Sequence, residues 1–380
     1  MPSSLEEGGT APPIRLLIAD DSSLVRRLTM AALKGQAEIA VIGAVGDGQA
    51  ALDAIAGDRP DVVMLDIEMP VMDGLTALKM IKLRWPSLPV LIFSTLAEHG
   101  AAATLKALEL GAADYVTKPS GVTHAGEAVS RVRNEVVPKV KAICRGRAPR
   151  GPSLPAAAEG GPPAPARPRP PRADCAVVTL GSSTGGPNAL IDVLSGLPAL
   201  GVPMLIVQHM PPVFTRLLAQ RLDQCCPMPV MEVDRPVVLQ PGHVYLAAGG
   251  RHLVVERRLE AVWAVPNDEP VENNVRPSVN LLFRSAAAVY GPGVLGVVLT
   301  GMGSDGQAGS EAIVQAGGSV IVQDDATSVT WGMPGAVARA GLADRVLPLA
   351  KMAPEIVARA SGRAPALAGR GSSAGSGACR

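Results

Sequence analysis

Ser183, His209 and Asp305 are the side chains best suited to chemistry in the second half of this 380-residue chain. Each stands in a short loop directly after an apolar, strand-like run: Gly181-Ser182-Ser183-Thr184-Gly185-Gly186, Gln208-His209-Met210-Pro211 and Thr300-Gly301-Met302-Gly303-Ser304-Asp305-Gly306. A hydroxyl, an imidazole and a carboxylate that meet supply a nucleophile, a general base and the group that orients the base, which is the equipment of acyl transfer. An imidazole with a pKa near about 6.5 can take a serine proton at neutral pH and return it to a leaving group. On residue type alone Ser182 and Thr184 rival Ser183, and Asp324 and Asp325 are weaker rivals of Asp305. The open glycine backbone around Met302 would let an amide N–H face a developing oxyanion, a contribution of about 3 kcal/mol per donor. Taken in isolation, the Gly181 hexapeptide reads as a capped turn or a phosphate cradle.

The first half carries a different set. Asp20-Asp21 and Asp66 each follow a strand-like run, so three carboxylates would converge at one sheet edge and repel one another unless a hard cation bound them. Mg²⁺ suits such oxygen ligands and would neutralise charge while a phosphoryl group approaches; Asp66 is the better acceptor. Ser94 and Lys118, at two further strand ends, reach the same crevice, one to hydrogen-bond a phosphoryl oxygen and the other to pair with it. Tyr115 is the candidate side chain to follow that change.

Positioning these residues requires parallel strands with their carboxyl ends on one rim, the place where open α/β sheets bind ligands. The apolar runs Ile14–Ala19, Ile39–Val45, Val62–Leu65, Pro89–Phe93 and Tyr115–Thr117 alternate with segments of helical spacing, giving five βα units. Strand-like runs resume at Ala176–Leu180, Met204–Val207, Val230–Val233, Val244–Leu246, Val294–Leu299 and Ser319–Val322, with helical spacing at 213–222, 279–289, 307–316 and 335–340. The stretch Arg251–Val265 reads as a hairpin, which predicts a mixed second sheet. The expected fold class is α/β: an N-terminal flavodoxin-like (βα)5 domain, a linker, and a C-terminal doubly wound, mostly parallel α/β domain with a β-hairpin. Expected boundaries are an extension over 1–13, the first domain over 14–143, a Pro/Ala/Arg-rich linker over 144–174, the second domain over 175–361 and a Gly/Ser/Ala tail over 362–380.

Composition agrees with this division. At 47% hydrophobic residues the chain can fill two cores, and with only 2% aromatics those cores must be Val, Leu, Ile, Ala and Met, as in strands buried on both faces. A net charge of +1 argues against broad binding to nucleic acid or anionic membrane. Glu6 and Glu7 and the lack of a long apolar stretch argue against a leader or membrane anchor, so the expected location is the cytoplasm without membrane insertion. Five cysteines in no metal-ligand spacing predict free thiols rather than zinc.

Two families enter on specific residues. Ala19-Asp20-Asp21-Ser22, Leu65-Asp66-Ile67-Glu68-Met69-Pro70-Val71-Met72-Asp73-Gly74 and Thr117-Lys118-Pro119 resemble the receiver domain of two-component response regulators. The resemblance implies phosphorylation of Asp66 by a histidine kinase, with Mg²⁺ held by Asp20, Asp21, Asp66 and the backbone carbonyl of Glu68. The three loops of the second half, with Arg276-Pro277-Ser278-Val279 and Gly332-Met333-Pro334, resemble the catalytic domain of the chemotaxis protein-glutamate methylesterases. Receiver plus this domain is similar to the methylesterase response regulators, the CheB family. That resemblance implies a Ser183, His209, Asp305 triad, oxyanion contacts from backbone N–H groups at Met302 and Thr184, no cofactor for the hydrolytic step, methylated chemoreceptors as substrate, and deamidation of receptor glutamines as a related activity. Two positions depart from the family pattern: Asn280 stands where aspartate is common, and Ala247-Ala248-Gly249 where alanine-proline is usual. Two other classes remain to be weighed: a receiver fused to a nonenzymatic phosphate- or nucleotide-binding domain, and a DNA-binding regulator, for which no basic helix-turn-helix segment follows the linker.

Overall fold

Apolar residues alternate along the first strands so that each sheet buries both faces. The computed structural model describes residues 12–95, 97–119, 125–144 and 174–361. Of the expected linker over 144–174 only Cys144, the last residue of α5, and Asp174 are described; the rest of it, the tail, the first 11 residues and His124 lie outside the described residues. In the first domain, β1 (Ile14–Ala19), β2 (Ile39–Val45), β3 (Val62–Asp66), β4 (Val90–Ser94) and β5 (Asp114–Thr117) form a parallel sheet in the order β2-β1-β3-β4-β5, the flavodoxin-like order. One face packs Leu17, Val63, Leu65 and Ile92 under α2 (Gly48–Gly57), α3 (Gly74–Arg84) and α4 (Glu98–Glu109). The other packs Leu16, Ile18, Met64 and Phe93 under α1 (Ser23–Leu33) and α5 (Ala125–Cys144).

The helices start where the sequence supplies caps. Ser22, Asp47 and Asp73 accept from the backbone N–H groups of Val25, Ala50 and Thr76 at the first turns of α1, α2 and α3. Thr76 N–H is the main reason the Asp73 carboxyl sits below its ordinary value. Gly74, next to that cap, lies directly on the backbone of Asp66, whose carbonyl oxygen a Cβ there would strike. Gly74→Ala is therefore expected to destabilise the first domain by about 1–3 kcal/mol. Thermal unfolding would read this as a lowered first transition, and an unchanged transition would mean that α3 can back away freely.

In the second domain seven strands form one sheet in the order β15-β14-β13-β6-β7-β10-β8, with every pairing parallel. These are β6 (Val177–Ser182), β7 (Met204–Gln208), β8 (Val230–Val233), β10 (Val244–Ala247), β13 (Val294–Val298), β14 (Ser319–Gln323) and β15 (Arg345–Leu347). The hairpin β11 (His252–Arg258) with β12 (Ala261–Asn267) forms as expected, but it pairs with β9 (Val237–Val238) in a separate three-stranded antiparallel sheet. The expectation of a mixed large sheet is thus corrected. The hairpin packs beside α8 (Val279–Tyr290) instead of extending the sheet edge, and the sheet it would have entered stays purely parallel.

Helices α6 (Gly186–Ser195), α7 (Pro212–Cys225) and α11 (Leu349–Ala360) cover one face of the large sheet, over Leu180, Ile206, Leu246 and Val297. Helices α8, α9 (Gln307–Gln315) and α10 (Met333–Arg339) cover the other, over Val207, Tyr245, Val298 and Val322. Three elements, β9, β15 and α11, were outside the sequence expectation: β9 and β15 are only two and three residues long, and Pro354 interrupts the helical pattern of α11. Strands are added outward from β6 through β7 on one side and from β13 through β14 to β15 on the other, so the strand order reverses between β6 and β13. The crevice of such a sheet opens there.

Between the domains, α4 lies against α6 and α7. The rings of Tyr115 and Phe214 stack across this boundary at 4.7 Å, Asn188 Nδ2 donates to Leu108 O at 2.8 Å, and Arg221 donates to Leu105 O at 2.9 Å and pairs with Glu109 at 3.0 Å. Among the described residues no helix is long and apolar enough to cross a membrane.

Candidate active site and phosphorylation site

At the switch point the ends of β6, β7 and β13 lie side by side. Ser182 is the register partner of Gln208 on β7, and Gly181 of Val298 on β13, so the loops bearing Ser183, His209 and Asp305 leave adjacent strands at one rim. His209 N–H donates to Ser182 O at 3.1 Å, and Ser183 N–H donates to Thr300 O at 3.0 Å. Gly185 then takes φ +76°, the left-handed region that favours glycine, and α6 begins with Pro187 in its first turn. This compact turn leaves Ser183 half-buried at the rim.

The rivals of Ser183 and Asp305 are placed differently. Ser182 is fully buried as the last residue of β6, and its hydroxyl donates to Gln208 Oε1 at 2.7 Å. Thr184 is buried, with its carbonyl accepting from Thr300 Oγ1 at 2.9 Å. Asp324 accepts from Thr327 in a local turn after β14, and Asp325 is exposed.

His209 and Asp305 are joined directly, Nε2 to Oδ2, at 2.9 Å. Asp305 is 3% exposed and accepts four more hydrogen bonds, from Ser278 Oγ and the backbone N–H groups of Val279, Asn280 and Gly306. Val279 and Asn280 open α8, whose N-cap Ser278 makes no side-chain cap, so the Asp305 carboxylate from another loop serves as the anion at that helix terminus. Burial pushes the Asp305 carboxyl up, but His209 and these donors outweigh it, and the net position is below the ordinary aspartate value. Because the folded value is depressed, this contribution to stability is present above the unfolded value and is lost as pH falls through the folded one. The carboxylate therefore remains ionised at neutral pH. With Nε2 committed to Asp305, Nδ1 is the imidazole nitrogen left for a hydroxyl.

Met302 follows Gly301, whose N–H donates to Thr330 O and whose carbonyl accepts from Met333 N–H. A Cβ built at Gly301 would lie 3.0 Å from Ser183 Cβ, so the 301–303 turn sits against Ser183. Gly301, the residue before Met302, and Thr184, the residue after Ser183, thus adjoin the serine.

Four residues of this site, all named or within motifs quoted from the sequence, have roles that sequence reasoning did not assign. Gln208 is 1% exposed, accepts from Ser182 and donates to the carbonyls of Ser183 and His209, tying the two loops together. Thr300 bridges the ends of β6 and β13. Ser278 and Asn280 hold Asp305 from α8. Ser278 lies in a motif quoted above, but nothing in a single sequence marks a buried polar network.

In the first domain Asp20 is fully buried, Asp66 is 4% exposed and Asp21 is exposed; one oxygen of each lies within 4.8 Å of the others. Lys118 Nζ pairs with Asp20 at 2.9 Å and with Asp66 at 2.7 Å. Burial raises the Asp66 carboxyl above its ordinary value, with Lys118 opposing. Three carboxylates against one ammonium leave a charge deficit that a divalent cation fits, and the oxygen donors suit Mg²⁺. Glu68 lines a cleft of about 640 Å³ beside this cluster, with Asp21, Asp73 and His99. Ser94 is buried and donates to Gly100 O on α4 at 3.1 Å. Tyr115 lies at the domain boundary, where Lys139 Nζ approaches its ring at 4.9 Å.

Comparison with known proteins covers both domains. The family model described as CheB methylesterase matches residues 178–356, and the response regulator receiver domain model matches residues 16–130. A protein-glutamate methylesterase/protein-glutamine glutaminase from a Nocardioides strain is 46% identical over 358 residues, covering 94% of this chain and 98% of that protein. The protein of the same description from Trichodesmium erythraeum is 44% identical over 349 residues, covering 92% and 99%. Among solved structures, the Thermotoga maritima CheB methylesterase catalytic domain aligns at 39% identity over 49% of this chain and 98% of that one, with a TM-score of 0.47.

Proposed function

Because this chain belongs to the CheB family of protein-glutamate methylesterases/protein-glutamine glutaminases, we propose that it hydrolyses glutamate γ-methyl esters on chemoreceptors through Ser183, His209 and Asp305, under control of phosphorylation at Asp66. The observation that carries the hydrolytic reading is the direct His209–Asp305 bond beside the half-buried Ser183. A phosphate cradle at Gly181–Gly186 would leave that bond without a purpose.

In the proposed reaction His209 Nδ1 takes the Ser183 proton as Oγ attacks the ester carbonyl carbon, and negative charge moves to the carbonyl oxygen. Backbone N–H groups at Met302 and Thr184 are the proposed donors to that oxygen. The imidazolium, stabilised through Nε2 by Asp305, gives its proton to the departing methoxide, and methanol leaves an acyl-serine. Water, deprotonated by the same imidazole, attacks the acyl carbon; the proton then passes to Ser183 Oγ as the glutamate carboxylic acid is released, which gives its own proton to solvent. Receptor glutamines react by the same route with ammonia as the leaving group. Methanol release from methylated receptor membranes is the direct test, and no release from any methylated receptor at any phosphorylation level would refute the assignment.

For regulation, Asp20, Asp21, Asp66 and the Glu68 carbonyl are the proposed holders of Mg²⁺, which when bound neutralises charge at the acceptor. A histidine kinase is the proposed donor. Lys118, already on Asp66, pairs with the phosphoryl oxygens, while Ser94 exchanges its bond to Gly100 O on α4 for one to the phosphoryl group. Helix α4 packs on α6 and α7, which leave the Ser183 and His209 loops, so a shift of α4 reaches the catalytic rim and its Tyr115–Phe214 contact. Asp66→Asn is expected to retain basal methanol release while losing all response to phosphodonor. Full stimulation of that variant would reject Asp66 as the acceptor.

A further inference from the structure

We propose that Asn280 is a positioning residue for Asp305, its side-chain amide joining the Asp305 loop to the Glu272–Arg284 ion pair with matched hydrogen-bond polarity at both ends. The inference rests on the catalytic reading given above and extends it to a residue outside the triad.

The geometry uses every polar atom of Asn280 that faces the site. Its backbone N–H donates to Asp305 Oδ1 at 3.1 Å. Its Oδ1 accepts from the N–H groups of Gly306 and Gly309 at 2.9 and 2.8 Å, where α9 begins. Its Nδ2 donates to Glu272 Oε1 at 3.0 Å. Asn280 is 2% exposed, and α8 and α9 approach so closely that a Cβ at Gly309 would lie 2.9 Å from Asn280 Cα. Gly306, the residue after Asp305, takes φ +94° and can turn its N–H toward Asn280 Oδ1. Asn280 thus holds the residues on the far side of Asp305 while α8 holds the carboxylate itself.

The polarity of the amide follows from Glu272. A carboxylate at position 280 could still accept from Gly306 and Gly309, but it would meet Glu272 without a donor between them. Arg284 from the next turn of α8 donates to Glu272 Oε1 at 2.9 Å and also binds Oε2, which holds the Glu272 carboxyl below its ordinary value. The charged and titratable groups around Asp305 are His209 on the β7 loop, His252 on β11, Glu269, Glu272 and Arg276 on the loop before α8, and Arg284 on α8. His252 is buried, with Nδ1 facing Ser278 N–H and Nε2 facing Pro270 O, so both ring nitrogens are taken up within this shell. The charges bonded directly along this link are Asp305 at one end and Glu272 with Arg284 at the other, and Asn280 is the neutral member between them.

Three variants of the full chain, assayed by methanol release from methylated receptors across pH, test this. Glu272→Gln preserves an acceptor for Asn280 and Arg284 but removes a negative charge, so kcat near neutral pH should stay within about twofold while the acid limb of kcat/KM moves to lower pH by about half a unit. Asn280→Asp adds a charge and removes the donor to Glu272; kcat should fall about tenfold, with KM little changed, and the acid limb should move to higher pH. Glu272→Gln combined with Asn280→Asp restores both net charge and a donor–acceptor pair, so rate and acid limb should return close to those of the parent. An acid limb unmoved in Glu272→Gln, or a folded double variant no better than Asn280→Asp, overturns the proposal. Should Asn280→Asp fail to fold, the shift in Glu272→Gln alone decides. Ser183→Ala in the same assay separates the two readings: if it remains active the catalytic reading fails, whereas an inactive Ser183→Ala beside an unmoved Glu272→Gln profile refutes only the role of Asn280.

Discussion

Ser183→Ala is expected to reduce methanol release from methylated receptors by about 10⁴-fold or more, because no other group at the rim supplies the attacking oxygen. The fold should not change. The backbone of Ser183 is fixed by its own N–H on Thr300 O and by Gly186 N–H and Gln208 Nε2 on its carbonyl, none of which uses the hydroxyl. Thermal unfolding should therefore stay within about 0.5 kcal/mol of the parent. Ser182→Ala is the informative contrast. It deletes a donor to a fully buried Gln208 Oε1, so it should cost about 1–3 kcal/mol of stability while leaving turnover far above that of Ser183→Ala. If the two serines exchanged these outcomes, the nucleophile would have been assigned one residue too late.

Asp305→Asn should cost about 10⁴-fold in kcat, through the imidazole tautomer rather than through loss of the fold's shape. An aspartate accepts on both oxygens, and Asp305 does so: His209 and Val279 on Oδ2, Ser278, Asn280 and Gly306 on Oδ1. An asparagine amide placed at Oδ2 would point a donor at Val279 N–H and oblige His209 Nε2 to accept. That puts the ring proton on Nδ1, the nitrogen that must receive the serine proton. Because a backbone donor of α8 loses its acceptor as well, stability should fall by about 1–3 kcal/mol. A folded Asp305→Asn enzyme within tenfold of parental kcat would remove Asp305 from the mechanism.

Much of this protein is legible in one sequence, for a physical reason that also marks where legibility stops. Strands β3, β6, β7 and β13 are buried along their whole length, so they read as nearly continuous apolar runs; β3 ends in Asp66, Ser183, His209 and Asp305 follow β6, β7 and β13, and Lys118 follows β5, all at strand ends where ligand chemistry occurs. Local pattern also sufficed for the hairpin, because its alternation and turn are short-range properties. Which sheet the hairpin joined was a different matter: β11 found α8 and β12 found β9, partners decided by packing across the chain, and the large sheet stayed parallel.

Residue type alone does not separate Ser182 from Ser183, since both are serines in one turn; the family resemblance pointed to Ser183. The register of β6 on β7, which buries Ser182 against Gln208 and leaves its neighbour half-buried at the rim, supports that choice. Sequence alone could not assign roles to Gln208, Thr300, Ser278 or Asn280, whose importance lies in hydrogen bonds spanning some 25 to 116 residues of chain. Residue identity and local period determined which chemical groups this protein owns and which strand ends carry them. Only tertiary structure decided which of those groups touch, because a buried polar atom takes its partner from whatever the fold brings within about 3 Å, however far away in sequence that partner begins.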